Sequence, residues 1–215
     1  MRTSAFGARD IASVLISLSN DLEARSEELR QLDAIIGDGD LGITIQLGSE
    51  AMRQFLGSAS ETDIGQLLAR CGMSINKASP STFGTLLASA CIAAGKAVRD
   101  KESISEAELV SMGEAAIDGI KKRGHAEVGE KTMLDCLVPA VEAFKTETAN
   151  GGEVDTALAA AVAAAQEGLR STIDMVSKHG RASWHRDKTV GVRDAGATAM
   201  YYMIESFARH LQAIR

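Results

Sequence analysis

The sequence predicts an all-α fold for one domain spanning 1–215, and three observations carry that expectation. Apolar residues recur at helical spacing from end to end, only Pro80 and Pro139 interrupt the pattern, and no stretch alternates apolar and polar with a period of two. Few or no strands are therefore expected. In chain order, Ile11, Val14, Leu15, Leu18 and Leu22 make the first stripe, and Ile64, Leu67, Leu68 and Cys71 the second. Leu86, Leu87, Ala90, Cys91, Ala94 and Val98 continue it, followed by Leu109, Met112, Ala116, Ile117 and Ile120. Met133, Leu137, Val138, Val141 and Phe144 come next, then Leu158, Val162, Ala165, Leu169 and Ile173, and finally Met200, Met203, Ile204, Phe207 and Leu211. Each stripe is narrow, so each helix turns one face to a shared core and the other to water. Ser105 with Glu108 reads as a capping box, and Asp194 stands where an N-cap precedes the last helix. The alanine-rich run 157–165 suits close helix packing and also favours helix by propensity alone.

A chain of 215 residues can bury roughly 70% of its unfolded surface, enough for a single core. The net charge of −6 and the dispersal of the basic residues argue against nucleic acid, whose phosphates demand a basic face. Cys71, Cys91 and Cys136 are odd in number and lack metal-ligand spacing, so they read as buried thiols of a reducing compartment. No apolar signal core follows Met1, and no apolar run approaches membrane-spanning length. A soluble, cytoplasmic chain without a membrane partner is expected.

The most informative stretch is LDAIIGDGDLG, residues 32–42, which sets Asp33, Asp38 and Asp40 among glycines. Close carboxylates repel and raise one another's pKa, so a folded site that keeps all of them ionised calls for a cation. Ligands that are all oxygen point to Mg²⁺ or Ca²⁺, whereas zinc would want His or Cys, and neither stands nearby. The glycines permit left-handed backbone and close approach of a ligand, so Asp38 and Asp40 can converge while Asp33 reaches in from the end of a preceding helix. A solvated turn is the plainer reading of Asp-Gly-Asp alone. An EF-hand fits badly: counted from Asp38, Ile43 holds the place of the turn glycine and Ser49 that of the final glutamate.

Between Val176 and Val192 the helical pattern lapses into SKHGRASWHRDKTVG, rich in cations and holding the single tryptophan, Trp184. Long connections of this kind are commonly functional or disordered. Cations beside three aspartates and a metal suit an anionic ligand, with Arg181 as the expected anchor and Trp184 as a second residue of interest. The loop is expected to be mobile without ligand. The segment from Gly124 to Thr132, GHAEVGEKT, resembles a phosphate loop but carries an extra Glu130 before Lys131 and follows a helical stripe instead of a strand. It reads instead as a glycine-containing entry to a helix starting near Thr132, where Gly124 would let a flat base lie close and Met133 could pack on that base.

LDAIIGDGDLG, together with GMSI at 72–75, GEKTMLD at 129–135, GRAS at 180–183 and GVRDAGA at 191–197, resembles the L subunit of dihydroxyacetone kinase, collinearly over nearly the whole chain. The resemblance implies a closed barrel of about eight antiparallel amphipathic helices with the nucleotide and Mg²⁺ at one end. It implies that Asp33, Asp38 and Asp40 hold two Mg²⁺ ions bridging the phosphates of ADP or ATP. Leu41, Gly42, Thr44 and the turn Thr82, Phe83, Gly84 would lie beside the phosphates or ribose, and Gly124, Met133, Arg181, Asp194, Ala195 and Gly196 would enclose the rest. No general base is assigned to this chain. In the family the ketose, dihydroxyacetone or a relative such as erythrulose, is held on a histidine of a separate K subunit or domain. Some members use free ATP, and in others a phosphotransferase-system protein re-phosphorylates a bound ADP. A homodimer is compatible with either arrangement.

Three departures stand out: Leu41 replaces the family's usual His after the third aspartate, Phe83 falls in a turn that is usually Gly-Ala-Ser-Gly, and Ala195 replaces Pro. All three aspartates persist, which favours an altered substrate or donor over a dead remnant. Leu41 and Phe83 keep a catalytically silent, nucleotide- or metal-binding regulator as the alternative.

Overall fold

The computed structural model describes residues 5–215, and about three quarters of them are helical. The elements are β1 (Phe6–Gly7), α1 (Ala8–Ala24), α2 (Ser26–Ile36), α3 (Leu41–Ser58), α4 (Ile64–Ala78), α5 (Thr82–Ala97), β2 (Ser103–Ile104), α6 (Glu106–Gly124), α7 (Leu134–Ala149), α8 (Val154–Ser171) and α9 (Ala195–Ala213). Two 3-10 segments, Thr172–Asp174 and Arg181–Thr189, lie between α8 and α9. Eight helices form a closed ring in which α1, α3, α4, α5, α6, α7, α8 and α9 each pack on the next, and α9 returns to α1. This is the expected barrel. The expected scarcity of strands also holds: among the described residues β1 and β2 form one antiparallel ladder, in which buried Phe6 faces buried Ile104.

The stripes read from the sequence supply the core. Ile11, Val14 and Leu22 of α1, Ile64, Leu67 and Cys71 of α4, Ile120 of α6 and Leu211 of α9 are all buried in one contiguous cluster. Caps fix where helices start. Asp63 accepts the N–H groups of Gly65 and Gln66, Ser105 and Glu108 form the expected capping box, and Asp194 accepts the Ala197 N–H at 2.7 Å. The helix expected to open near Thr132 starts instead at Leu134, because residues 129–132 are held in a turn by the buried carboxylate of Asp135, which accepts the N–H groups of Gly129 and Thr132 at 2.6 Å.

Small residues allow neighbouring helices to touch backbone to backbone. A Cβ at Gly65 would lie 2.6 Å from the Gly95 carbonyl, and one at Gly95 would lie 2.5 Å from that of Gly65, so α4 and α5 cross at this pair. At α7 the reason is different. Pro139 cannot donate to the carbonyl of Asp135 one turn back, and Gly168 of α8 packs directly against that oxygen.

The helix α2 is not a ring member. It departs from α1 at Arg25, whose guanidinium lies 4.3 Å from the centre of the Tyr202 ring, and it lies across the end of the barrel against α3 and α9. Glu28 fastens it there, accepting from the Tyr202 hydroxyl at 2.6 Å and from Arg193 at 2.8 Å. Because α2 ends in Asp33–Ile36, this placement delivers the aspartate-rich turn to the mouth of the ring. The seam between first and last helices is closed by Asp21 of α1, which accepts from Ser206 and Arg209 and lies 2.8 Å from the ring nitrogen of His210. Those contacts, with desolvation opposing them, leave its carboxyl below the usual range. Cys71 and Cys136 are buried as expected, and burial pushes both thiols upward; Cys91 is half-buried, its thiol pushed up to about 11. No helix among the described residues is long and apolar enough to cross a membrane.

Candidate functional site

The three aspartates converge. Asp33 stands in the last turn of α2, and its carboxylate folds over Gly37, where any Cβ would collide with it. Gly39 then takes φ +74°, a left-handed turn that glycine adopts without strain, and Asp40 becomes the N-cap of α3. One oxygen from each of Asp33, Asp38 and Asp40 lies within 4.8 Å of the others, the one group of three or more such ligand residues with this geometry among the described residues. Asp33 also accepts the Leu41 N–H at 3.2 Å. Burial, and then the charge of Asp33, push the Asp40 carboxyl upward. Arg181 answers part of the negative charge by pairing with Asp38 and, at 3.2 Å, with Asp40.

A cavity of about 360 Å³ opens beside the carboxylates. Leu41 begins α3, Thr82 and Phe83 begin α5, Ala195 and Gly196 begin α9, and all five line that cavity. Helix N-termini present main-chain N–H groups and the positive end of the helix dipole, so this convergence favours an anion. Arg181, Met133 and Asp194 complete the sequence-derived residues found on its wall. Burial lifts the Asp194 carboxyl to about 6, against the opposing pull of the Ala197 N–H and the charge of Lys131.

Four named residues stand off that wall. Gly42 lies between α2 and α3, where a Cβ would come within 2.5 Å of the Ser26 carbonyl. Thr44 is buried, its carbonyl accepting from the Ser79 hydroxyl at 3.2 Å. Gly84 packs against Ser79 and gives its N–H to Ser81 at 3.0 Å. Gly124 lines a neighbouring cleft with Arg123, Thr82 and Leu86, and its Cα faces the Leu86 side chain. Trp184 is 80% exposed and lies off the cavity. The cationic loop is not irregular throughout, since Arg181–Thr189 winds as 3-10 helix.

Several wall residues escaped the sequence reading: Pro80, Ser81, His179, Gly180 and, above all, Lys131. The Lys131 side chain is 2% exposed, and its ammonium donates to main-chain carbonyls, so it is spent inside the protein. Its motif GEKTMLD was visible, but nothing in the sequence identifies carbonyl partners dozens of residues away.

Fold and site together define a closed eight-helix barrel with a carboxylate cluster and three helix N-termini at one mouth. The DAK2 domain pattern matches residues 35–209. The chain is 33% identical over 198 residues to the PEP-dependent dihydroxyacetone kinase, ADP-binding subunit DhaL, of Escherichia coli, covering 92% of this chain and 94% of that one. It is 31% identical to the L-erythrulose 1-kinase of Mycolicibacterium smegmatis over 95% of its own length but 36% of the relative's. The crystal structure of the dihydroxyacetone kinase from C. freundii in complex with AMP-PNP and Mg²⁺ shares the fold, with a TM-score of 0.73 at 23% identity over 93% of this chain and 33% of that one. The chain belongs to the DAK2 domain family.

Proposed function

We propose that this chain is the nucleotide-binding subunit of a dihydroxyacetone-type kinase, which holds Mg²⁺ with ADP or ATP in the 360 Å³ cavity and passes a phosphoryl group to a small ketose on a separate K-type subunit. The observation that carries the reading is the meeting of three carboxylates, within 4.8 Å of one another, with three helix N-termini. Its donor set is all oxygen and only partly neutralised by Arg181, which suits a hard divalent cation. Asp33, Asp38 and Asp40 would hold the metal, which when bound offsets the charge of phosphate oxygens. The first N–H groups of α3, α5 and α9 would receive the phosphates, and Met133 and Phe83 supply apolar wall for the rest of the nucleotide. Arg181, freed from its carboxylates as the cation arrives, could turn to the phosphates.

The likeness to an E. coli relative that is named as an ADP-binding subunit, 94% of which the chain covers, supports the reading of a K-type partner; of the two erythrulose kinases of Mycolicibacterium smegmatis the chain matches about a third. A phosphotransferase-system protein as donor is part of the same reading, by analogy with that relative's dependence on PEP. Which ketose is used depends on the partner, with dihydroxyacetone and erythrulose as the two candidates.

The test is reconstitution. With Mg-ATP, or with a PEP-driven phosphotransferase system, the chain alone is expected to leave dihydroxyacetone and erythrulose unphosphorylated, and adding a K-type subunit is expected to start turnover. Robust turnover by the chain alone would overturn the division of labour. Nucleotide binding without turnover in any combination would favour the silent regulator, to which buried Leu41 and the aromatic ring of Phe83 lend some support.

A further inference from the structure

The residue that ties the site together is one the mechanism does not use. Lys131 is essentially buried, and its Nζ donates to the carbonyls of Thr172 at 2.7 Å, Met175 at 3.1 Å, Thr189 at 2.6 Å and Val192 at 2.6 Å. An ammonium has three N–H donors, so these acceptors exhaust it and leave none for a phosphate. Burying a cation is costly unless its hydrogen bonds are fully met, and here the charges of Asp194 and Asp174 also act in its favour. The cost is accepted here at a residue whose own backbone is left-handed, with φ +62°, a strain that persists where surroundings over-determine it. Asp135 supplies that determination by holding the N–H groups on both sides, those of Gly129 and Thr132.

The four carbonyls are not neighbours in sequence. Thr172 and Met175 lie on the limb that leaves α8, Thr189 and Val192 on the limb that returns to α9, and Arg181 stands between them at the aspartates. Around the ammonium the limbs are also joined directly, by Gly191 N–H to the Ile173 carbonyl at 2.8 Å and by Ser177 N–H to the Thr189 hydroxyl at 2.9 Å. The returning limb ends at Asp194, whose N–H donates to the Thr172 hydroxyl at 3.1 Å. One buried charge therefore sits where the loop holding Arg181 and the start of α9 are both anchored.

We propose that Lys131 is a positioning residue: its ammonium clasps the two limbs of the segment 172–192 and so holds Arg181 at the mouth of the cavity. Glu130 reinforces the clasp from the outside, accepting from Lys178 at 3.4 Å and meeting the His179 ring nitrogen at 2.6 Å. The proposal rests on the nucleotide reading of the cavity for its effect on ligand affinity, but the clasp itself is visible without ligand.

The test compares wild type, Lys131→Met, Arg181→Ala and the double variant by hydrogen exchange and by Mg-ADP titration. Lys131→Met keeps an unbranched side chain, shorter by the one terminal atom, and removes the charge. It is expected to speed exchange at 172–193 without nucleotide while α4 and α5 stay protected, and to weaken Mg-ADP binding about tenfold, or ~1.4 kcal/mol. In the Arg181→Ala background the same change is expected to cost much less, since its effect runs through Arg181. Lys131→Ala supplemented with propylammonium, which replaces the missing atoms beyond Cβ, is expected to regain protection of the segment and to lose it on dialysis; this arm holds even if Lys131→Met fails to fold. Unchanged exchange at 172–193 in Lys131→Met, full additivity with Arg181→Ala, or no response of Lys131→Ala to propylammonium would each overturn the clasp. Failure of wild type to bind Mg-ADP would remove the nucleotide reading and leave the exchange results to judge the clasp alone.

Discussion

Asp38→Asn is expected to abolish the thermal stabilisation that Mg²⁺ with ADP gives to the wild-type chain. A ligand present at about a hundred times its dissociation constant adds roughly 2.7 kcal/mol to the folded state, which is a few degrees per kcal/mol for a domain of this size. The side chain of Asp38 is 39% exposed, so the variant loses no buried packing. Without metal the change is expected to lie within about ±0.5 kcal/mol, because it removes both an attraction to Arg181 and a repulsion within the cluster. The sign of the pH dependence follows from Asp40. Its carboxyl is raised by burial and by Asp33, so the metal-free fold is favoured while it is protonated and loses that advantage as pH rises through the folded value. A cation reverses this by favouring the ionised form, so the stabilisation by Mg-ADP is expected to fade on acidification. A calorimetric scan in which wild type ignores Mg-ADP, or in which Asp38→Asn responds equally, would remove the metal-site reading.

Gly168→Val is expected to be the most damaging single change in the barrel. The Cβ at 168 meets the Asp135 carbonyl that Pro139 leaves without a helical donor, and Pro139 Cγ stands 3.2 Å away on the same side. Backbone oxygen cannot move aside as a side-chain tip can, so α7 and α8 must separate, at a cost of about 1–3 kcal/mol or more. Disturbance of Asp135 would also loosen the turn 129–132 that aims Lys131. Gly57 is the control: it lies near the end of α3 with nothing within 4 Å of its Cβ position. Gly57→Ala is expected to stabilise by about 0.5 kcal/mol by restricting the unfolded chain. Urea unfolding of the two variants checks the contrast, and a Gly168→Val protein as stable as Gly57→Ala would refute this account of the α7–α8 contact.

The helices were legible where large apolar residues carry the period. The stripes of α1, α4 and α9 needed only Ile, Leu, Val, Met, one Cys and one Phe at fixed intervals, and the caps at Ser105 and Asp194 are local chemistry. The helix α3 was harder to see because half of its buried positions are Gly42, Thr44, Gly48 and Ser49, which signal closeness instead of hydrophobicity. The break at Arg25 carries neither Gly nor Pro, so nothing in the sequence separates α1 from α2. At the site the aspartates announced themselves by like charge at short range. The role of Lys131 could not be read, because main-chain carbonyls have no residue-type signature and its partners lie 41 to 61 positions away. Arg181 was legible as a cation of interest but not as the partner of Asp38 and Asp40, which are more than 140 positions distant.

The closure of the ring also gives the molecule a history. Apart from the seam, and from α1 passing over α2 to reach α3, successive ring helices are successive in sequence, and pairs such as α4 and α5 can meet as soon as both exist. Asp21 must instead find Ser206, Arg209 and His210 across separations of 185, 188 and 189 residues. At about 0.6 kcal/mol for each doubling of loop length, a first encounter at that range is roughly 2 kcal/mol harder than closing a helical hairpin. The barrel is thus expected to grow as a curved row of hairpins that becomes a ring in its last step, and during synthesis that step waits until α9 has emerged. Pulsed exchange during refolding records the order: amides of α4 and α5 are expected to gain protection before those at the α1–α9 seam, and simultaneous protection would show that the ring forms all at once.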